Sequence, residues 1–208
     1  AGVGYWMTMG NSTNVSTSPV STADAPETSD VDTSGIVEMT IGAVDAPIEM
    51  VEYASFTCPH CASFHKNVFK QLKSEYIDTG KVKFTYRDVY FDPYGLWASM
   101  IARCGGETRF FGISDMLYTQ QKEWLASQDR AVIADNLRKI GKIAGLTDEN
   151  LNVCLNDNDK ATALVAWFQE NAKTDEIKST PSLIIDGEKF SNMSFSELKA
   201  ILDGKLAQ

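Results

Sequence analysis

The stretch FTCPHCASFH, residues 56–65, holds two cysteines separated by a proline and a histidine: Cys58, Pro59, His60 and Cys61, with His65 four positions further on. Such a set can clamp a metal, staple the chain or trade electrons. Pro59 fits the first position of a helix, where its missing N–H costs nothing. That places Cys58 at the helix N-cap and Cys61 one turn in. A thiol at a helix N-terminus meets unpaired N–H groups and the positive end of the helix dipole, and both favour the thiolate. An imidazolium on His60 would add to this. Cys58 is then the nucleophile, and Cys61, behind it, the resolving thiol. Stabilising the reduced form also makes the disulfide a stronger oxidant. Zinc would need Cys58, Cys61 and His65, with His60 as a fourth ligand. Structural zinc usually draws on a second, distant pair, and ligands crowded on one helical turn close a tetrahedron poorly. A disulfide across so short a loop is strained and rarely serves as a staple. His65 is expected to be a solvated helix residue.

The elements around the pair decide between these chemistries. IVEMTIG (36–42) alternates like a strand, Asp45-Ala46-Pro47 marks a turn, and IEMVEYAS (48–55) is apolar enough to be a buried strand. After the cysteines, Phe64, Val68, Leu72 and Tyr76 recur at helical spacing, and Thr79-Gly80 supplies a stop. KVKFTYRDV (81–89) returns as a strand. A strand–helix–strand order favours parallel pairing with a right-handed crossover. A CxxC pair at the strand-to-helix junction of such a unit reads as redox exchange.

From Tyr94 to Thr174 the pattern is mostly helical: LWASMIARC, FFGISDMLYTQQKEWLA, AVIADNLRKIGKIAG and ATALVAWFQENA each carry an apolar face. Thr147-Asp148-Glu149-Asn150 looks like a capped helix start. Strands resume at SLIID (182–186) and EKFS (188–191), with a tight turn at Asp186-Gly187, and FSELKAILDGKL (195–206) closes as a helix capped by Ser194. The sheet is thus assembled from residues 35–93 and 175–208, with 94–174 inserted as a helical lid.

The chain has 208 residues and a net charge of −9, which argues against nucleic-acid or anionic-membrane binding. No Lys or Arg precedes Lys66, while residues 1–65 carry eight acids, so all but one of the excess negative charges lie there. Residues 8–34 are mostly Ser, Thr, Asp, Pro and Ala, without an aromatic or a base, and 1–34 is expected to be a disordered tether. No run of 18 apolar residues appears. The opening AGVGYWM reads either as the trailing end of an apolar segment or as a chance beginning.

With CPHC (58–61) placed after a buried strand and before a helix, the chain resembles the DsbA-type thiol–disulfide oxidoreductases of the thioredoxin fold over residues 36–206. The resemblance implies an α/β fold, a central mixed sheet flanked by helices, with a helical subdomain inserted. It implies that Glu52, six residues before Cys58, is a buried acid beneath the cysteines, handling protons with a raised pKa. It implies that Thr180-Pro181 is a cis-proline loop facing the pair, whose backbone pairs with an extended substrate peptide. Some relatives carry a second disulfide in the helical unit, which makes a Cys104–Cys154 bridge the expectation, the alternative being two buried free thiols. The aromatic residues Phe56, Phe64, Tyr90, Phe91 and Tyr94 are either an apolar surface for unfolded chains or core.

The expected function is a monomeric periplasmic or otherwise extracytoplasmic oxidase that gives a Cys58–Cys61 disulfide to folding secreted proteins. It needs no cofactor and no metal. A quinone-linked membrane oxidase of the DsbB type would restore it. The N-terminal tether would suit either a cleaved signal or a retained membrane anchor. The rival readings are an isomerase or reductase on the same fold, and a non-enzymatic metal-binding thiol protein.

Overall fold

β-Branched and aromatic runs build one mixed sheet at the centre of the computed structural model, which describes residues 31–208. Its strands are β1 (Met39–Ile41), β2 (Ile48–Ala54), β3 (Val82–Asp88), β4 (Ser182–Ile185) and β5 (Glu188–Ser191), in the order β1-β3-β2-β4-β5. β2 and β3 run parallel, from Ile48 beside Val82 to Ala54 beside Asp88. The other neighbours are antiparallel. β1 is shorter than the alternation in 36–42 suggests. The expected tether falls mostly on residues 1–30, which lie outside the described part.

Side chains two apart on a strand share a face. Ile48, Met50, Glu52 and Ala54 of β2 therefore point the same way as Val82, Phe84, Tyr86 and Asp88 of β3, and all eight are buried. The helix α1 (residues 59–77) covers this face. It alternates α-helical turns (Pro59–Phe64, Lys70–Leu72) with π-helical ones (His65–Phe69, Lys73–Ile77). The sequence explains why. Spacing of four overruns the 3.6-residue turn by about 40° at each step. Wider π turns absorb the overrun, and Phe64, Val68, Leu72 and Tyr76 all stay buried against the sheet.

The inserted helices are α2 (Pro93–Cys104), α3 (Glu107–Thr119), α4 (Gln121–Trp124), α5 (Arg130–Ile143), α6 (Asp148–Leu155) and α7 (Asn158–Thr174), and α8 (Phe195–Leu206) closes the chain. Asp92, Asp129 and Asp157 cap α2, α5 and α7, and capping boxes start α6 at Thr147 and α8 at Ser194. The single helix expected over FFGISDMLYTQQKEWLA is broken at Gln120. Aromatic rings carry the core from sheet to insertion: Phe56 lies 5.4 Å from Tyr86 and 5.1 Å from Tyr118. A buried ion pair joins the two parts, with Arg103 Nη2 2.8 Å from Asp88 Oδ2 and Arg103 Nη1 donating to the Val37 carbonyl at 2.9 Å. One residue later, Cys104 is bonded to Cys154, 50 positions away. The β4–β5 hairpin turns through Asp186 and Gly187, whose φ values of 48° and 80° suit a two-residue turn.

Candidate active site

β2 ends at Ala54, and a short turn carries the chain into α1. The Cys58 N–H closes it on the Ser55 carbonyl at 3.1 Å. Cys58 is the N-cap, in extended conformation, and Pro59 opens the helix. The turn is braced from outside. Thr57 Oγ1 lies 2.7 Å from Asp92 Oδ2, and the same Asp92 caps α2 through the Gly95 N–H at 2.9 Å.

The two sulfurs, both thiols here, differ in environment. Cys58 is 8% exposed and Cys61 fully buried. A Cys58 thiolate accepts from the Cys61 thiol, from the Thr180 side chain and from the backbone N–H groups of Cys61 and His60. Against the cost of burial, these hold it down at about 5. Cys61 moves the other way. Burial, its bond to Cys58 and the nearby Glu52 carboxylate all push its thiol far above the usual range. His60 is exposed, so it reaches the Cys58 sulfur through its backbone N–H rather than its ring. Facing the pair, Cys58 Sγ lies 3.7 Å from the Thr180 carbonyl oxygen, and the Thr180-Pro181 peptide is cis.

Glu52 sits on the covered face of β2, beside Tyr86 and Leu183, and is 4% exposed. Burial first, and the Cys58 charge second, push its carboxyl up to about 8. It therefore holds a proton at neutral pH beneath the two sulfurs. Tyr86 donates toward the Ala54 carbonyl and meets the Tyr118 hydroxyl at 2.6 Å, which closes the polar layer behind the site.

His65 departs from expectation. It is 7% exposed, stacked between Phe69 and Tyr118, with Nε2 2.8 Å from Asp115 Oδ1. Burial lowers its pKa, and Asp115 only partly restores it. No group of three or more His, Cys, Asp or Glu side chains gathers as a metal site among the described residues. Of the aromatic residues, Phe56 and Phe64 are core, Tyr90 and Tyr94 are half-buried, and Phe91 is 62% exposed, one residue from the Asp92 brace. One polar residue escaped the sequence reading. Gln121, at the start of α4, donates from Nε2 to the carbonyls of Phe56 at 2.8 Å and Cys58 at 2.9 Å. A groove of about 630 Å³ runs beside the pair between α1 and α3–α4, with Pro59, His65, Lys66, Tyr118 and Gln121 in its walls.

Fold and site together define a class, and comparison with known proteins agrees. Residues 34–204 match the family model described as Thioredoxin, and the chain belongs to this thioredoxin family, among its DsbA-like members. A Rickettsia felis protein named "Putative protein-disulfide oxidoreductase" is 31% identical, over 93% of this chain and 70% of that one. Its Rickettsia bellii counterpart is 34% identical over 80% of this chain. The chain spans 63% of that relative's length. Among solved structures, Wolbachia pipientis alpha-DsbA1 superposes with a TM-score of 0.73 at 27% identity, covering 80% of this chain and 89% of its own.

Proposed function

We propose that this chain is a protein thiol–disulfide oxidoreductase that donates a Cys58–Cys61 disulfide to reduced, secreted polypeptides. The observation that carries the proposal is the asymmetry of the two thiols, one held down to about 5 and the other pushed far up. A substrate thiolate attacks the more accessible sulfur, Cys58. The Cys58–Cys61 bond breaks, a mixed disulfide forms, and Cys61 leaves with the electron pair. Protonated Glu52 supplies its proton. A second substrate thiolate then attacks its partner in the mixed disulfide and releases Cys58, whose thiolate is a good leaving group at neutral pH. Two electrons pass from substrate to enzyme, and the substrate gains one disulfide. Pro59 fixes the helix start, and the His60 N–H helps hold the charge. The backbone at Thr180-Pro181 offers an edge on which an extended substrate can pair, and Phe91 offers apolar contact nearby.

The reduced enzyme must be re-oxidised, and a quinone-linked membrane oxidase of the DsbB type fits that need. An extracytoplasmic setting fits the Cys104–Cys154 disulfide, since such bonds are rare where thiols are kept reduced. A second reading, isomerase on the same fold, draws on the likeness to a Novosphingobium aromaticivorans structure named as a protein-disulfide isomerase, with 25% identity and a TM-score of 0.74. Paired assays decide. Oxidation of a dithiol peptide should be fast and insulin reduction slow for the wild type, and Cys58→Ser should abolish both. A Cys58 that ionises like free cysteine would overturn the oxidase reading, and efficient reshuffling of a scrambled substrate without net oxidation would favour the isomerase.

A further inference from the structure

The helical insertion reaches into the active-site turn through one buried side chain. Gln121 is 6% exposed. A primary amide has two N–H donors, and its two partners are the Phe56 carbonyl at 2.8 Å and the Cys58 carbonyl at 2.9 Å, one on each side of Thr57. The Cys58 carbonyl also accepts the first helical bond of α1, from the Ala62 N–H at 3.1 Å. Gln121 thus grips the residue that carries the more accessible sulfur, at the junction where strand becomes helix. The break at Gln120 gives a second observation. Its backbone leaves the helical region at φ −102° and ψ 17°, so α3 ends and α4 begins one residue later with Gln121. Without that offset, Gln121 would continue the line of α3.

We propose that Gln121 is a positioning residue for thiol exchange: by holding the Phe56 and Cys58 carbonyls it makes the helical insertion part of what sets the oxidising strength of the Cys58–Cys61 disulfide. The inference rests on the oxidoreductase reading above. Two effects act in one direction. The amide keeps the turn in the shape that aims the N–H groups of His60 and Cys61 at the Cys58 sulfur. Its positive end also offsets the negative end of the carbonyl on the sulfur-bearing residue, close to where the thiolate charge sits.

Gln121→Met keeps the length of the side chain and removes both donors. Gln121→Glu keeps its shape and, once ionised, places a negative charge against the same carbonyls. The glutathione equilibrium of the full chain, the thiolate absorbance against pH and the melting temperature are measured for both variants. The expected result for Gln121→Met is a roughly tenfold less oxidising disulfide, about 30 mV, with the thiolate forming at higher pH. Gln121→Glu should move both readouts further. If the Met variant melts lower yet keeps the wild-type glutathione equilibrium and thiolate titration, Gln121 is only a brace and the inference is overturned. Should that variant fail to fold, Gln121→Glu carries the same test. A wild-type Cys58 titrating like free cysteine would instead sink the oxidoreductase reading.

Discussion

At the scale of residues, the site works by opposing environments a few positions apart. Glu52 illustrates the sign of the effect. Its folded pKa of about 8 lies above the ordinary 4.5, so its charge opposes folding. The cost is absent below about 4.5, grows as pH rises and is full above about 8. Glu52→Gln removes it, and should stabilise the protein by up to about 3 kcal/mol at pH 7, at 1.36 kcal/mol per pKa unit. Denaturant unfolding at pH 4 and pH 7 checks this, since the gain should nearly vanish at the lower value. The same variant should slow disulfide transfer at pH 7 by about a hundredfold, the usual worth of a positioned proton donor. Unchanged transfer would remove Glu52 from the chemistry. The cysteine pair was legible because its chemistry is local: two sulfurs, a proline and a helix start lie within four positions. Gln121 was not, since a glutamine in a helical run carries no signal and its partners lie 63 and 65 residues away. His65 was misjudged for a related reason. A polar residue beside Phe64 reads as solvated until Asp115, 50 positions on, supplies its partner.

At the scale of elements, the helices were readable from their caps and apolar faces, and the parallel β2–β3 pair from the strand–helix–strand order. The interruptions were harder. The π turns of α1 follow from four-residue spacing but leave no mark of their own in composition. The break at Gln120 serves a tertiary contact. The joint between sheet and insertion, and the insertion itself, can each be tested at one point. Asp88→Asn leaves the Arg103 charge buried against a neutral partner, with the Arg103 side chain 4% exposed. It should cost roughly 3–5 kcal/mol, measured as a lower midpoint in denaturant. Replacing both Cys104 and Cys154 with alanine opens a loop of 50 positions, and should cost about 4 kcal/mol by the chain-entropy estimate. A melt that does not move would show that the insertion holds its shape without the bridge.

At the scale of the molecule, the thiol pair couples redox state to stability. Folded Cys58 ionises at about 5 against an ordinary 9.0, so its charge favours the reduced fold. That contribution is complete above about 9, shrinks as pH falls and is gone below about 5. The oxidised form has no such group. Reduced protein should therefore melt above oxidised protein at pH 7, and the two melts should converge near pH 4. Calorimetry of both forms across that range checks it, and a gap that persists into acid would assign the difference to something other than the thiolate.

The Cys104–Cys154 bridge carries a consequence for the life of each molecule. On the proposed function, a protein that hands out disulfides has one of its own to acquire before its helices are locked. Every freshly made copy then starts as a customer of the trade it later practises. The supply therefore sustains itself only while older copies, or an independent oxidant, are there to serve the new ones.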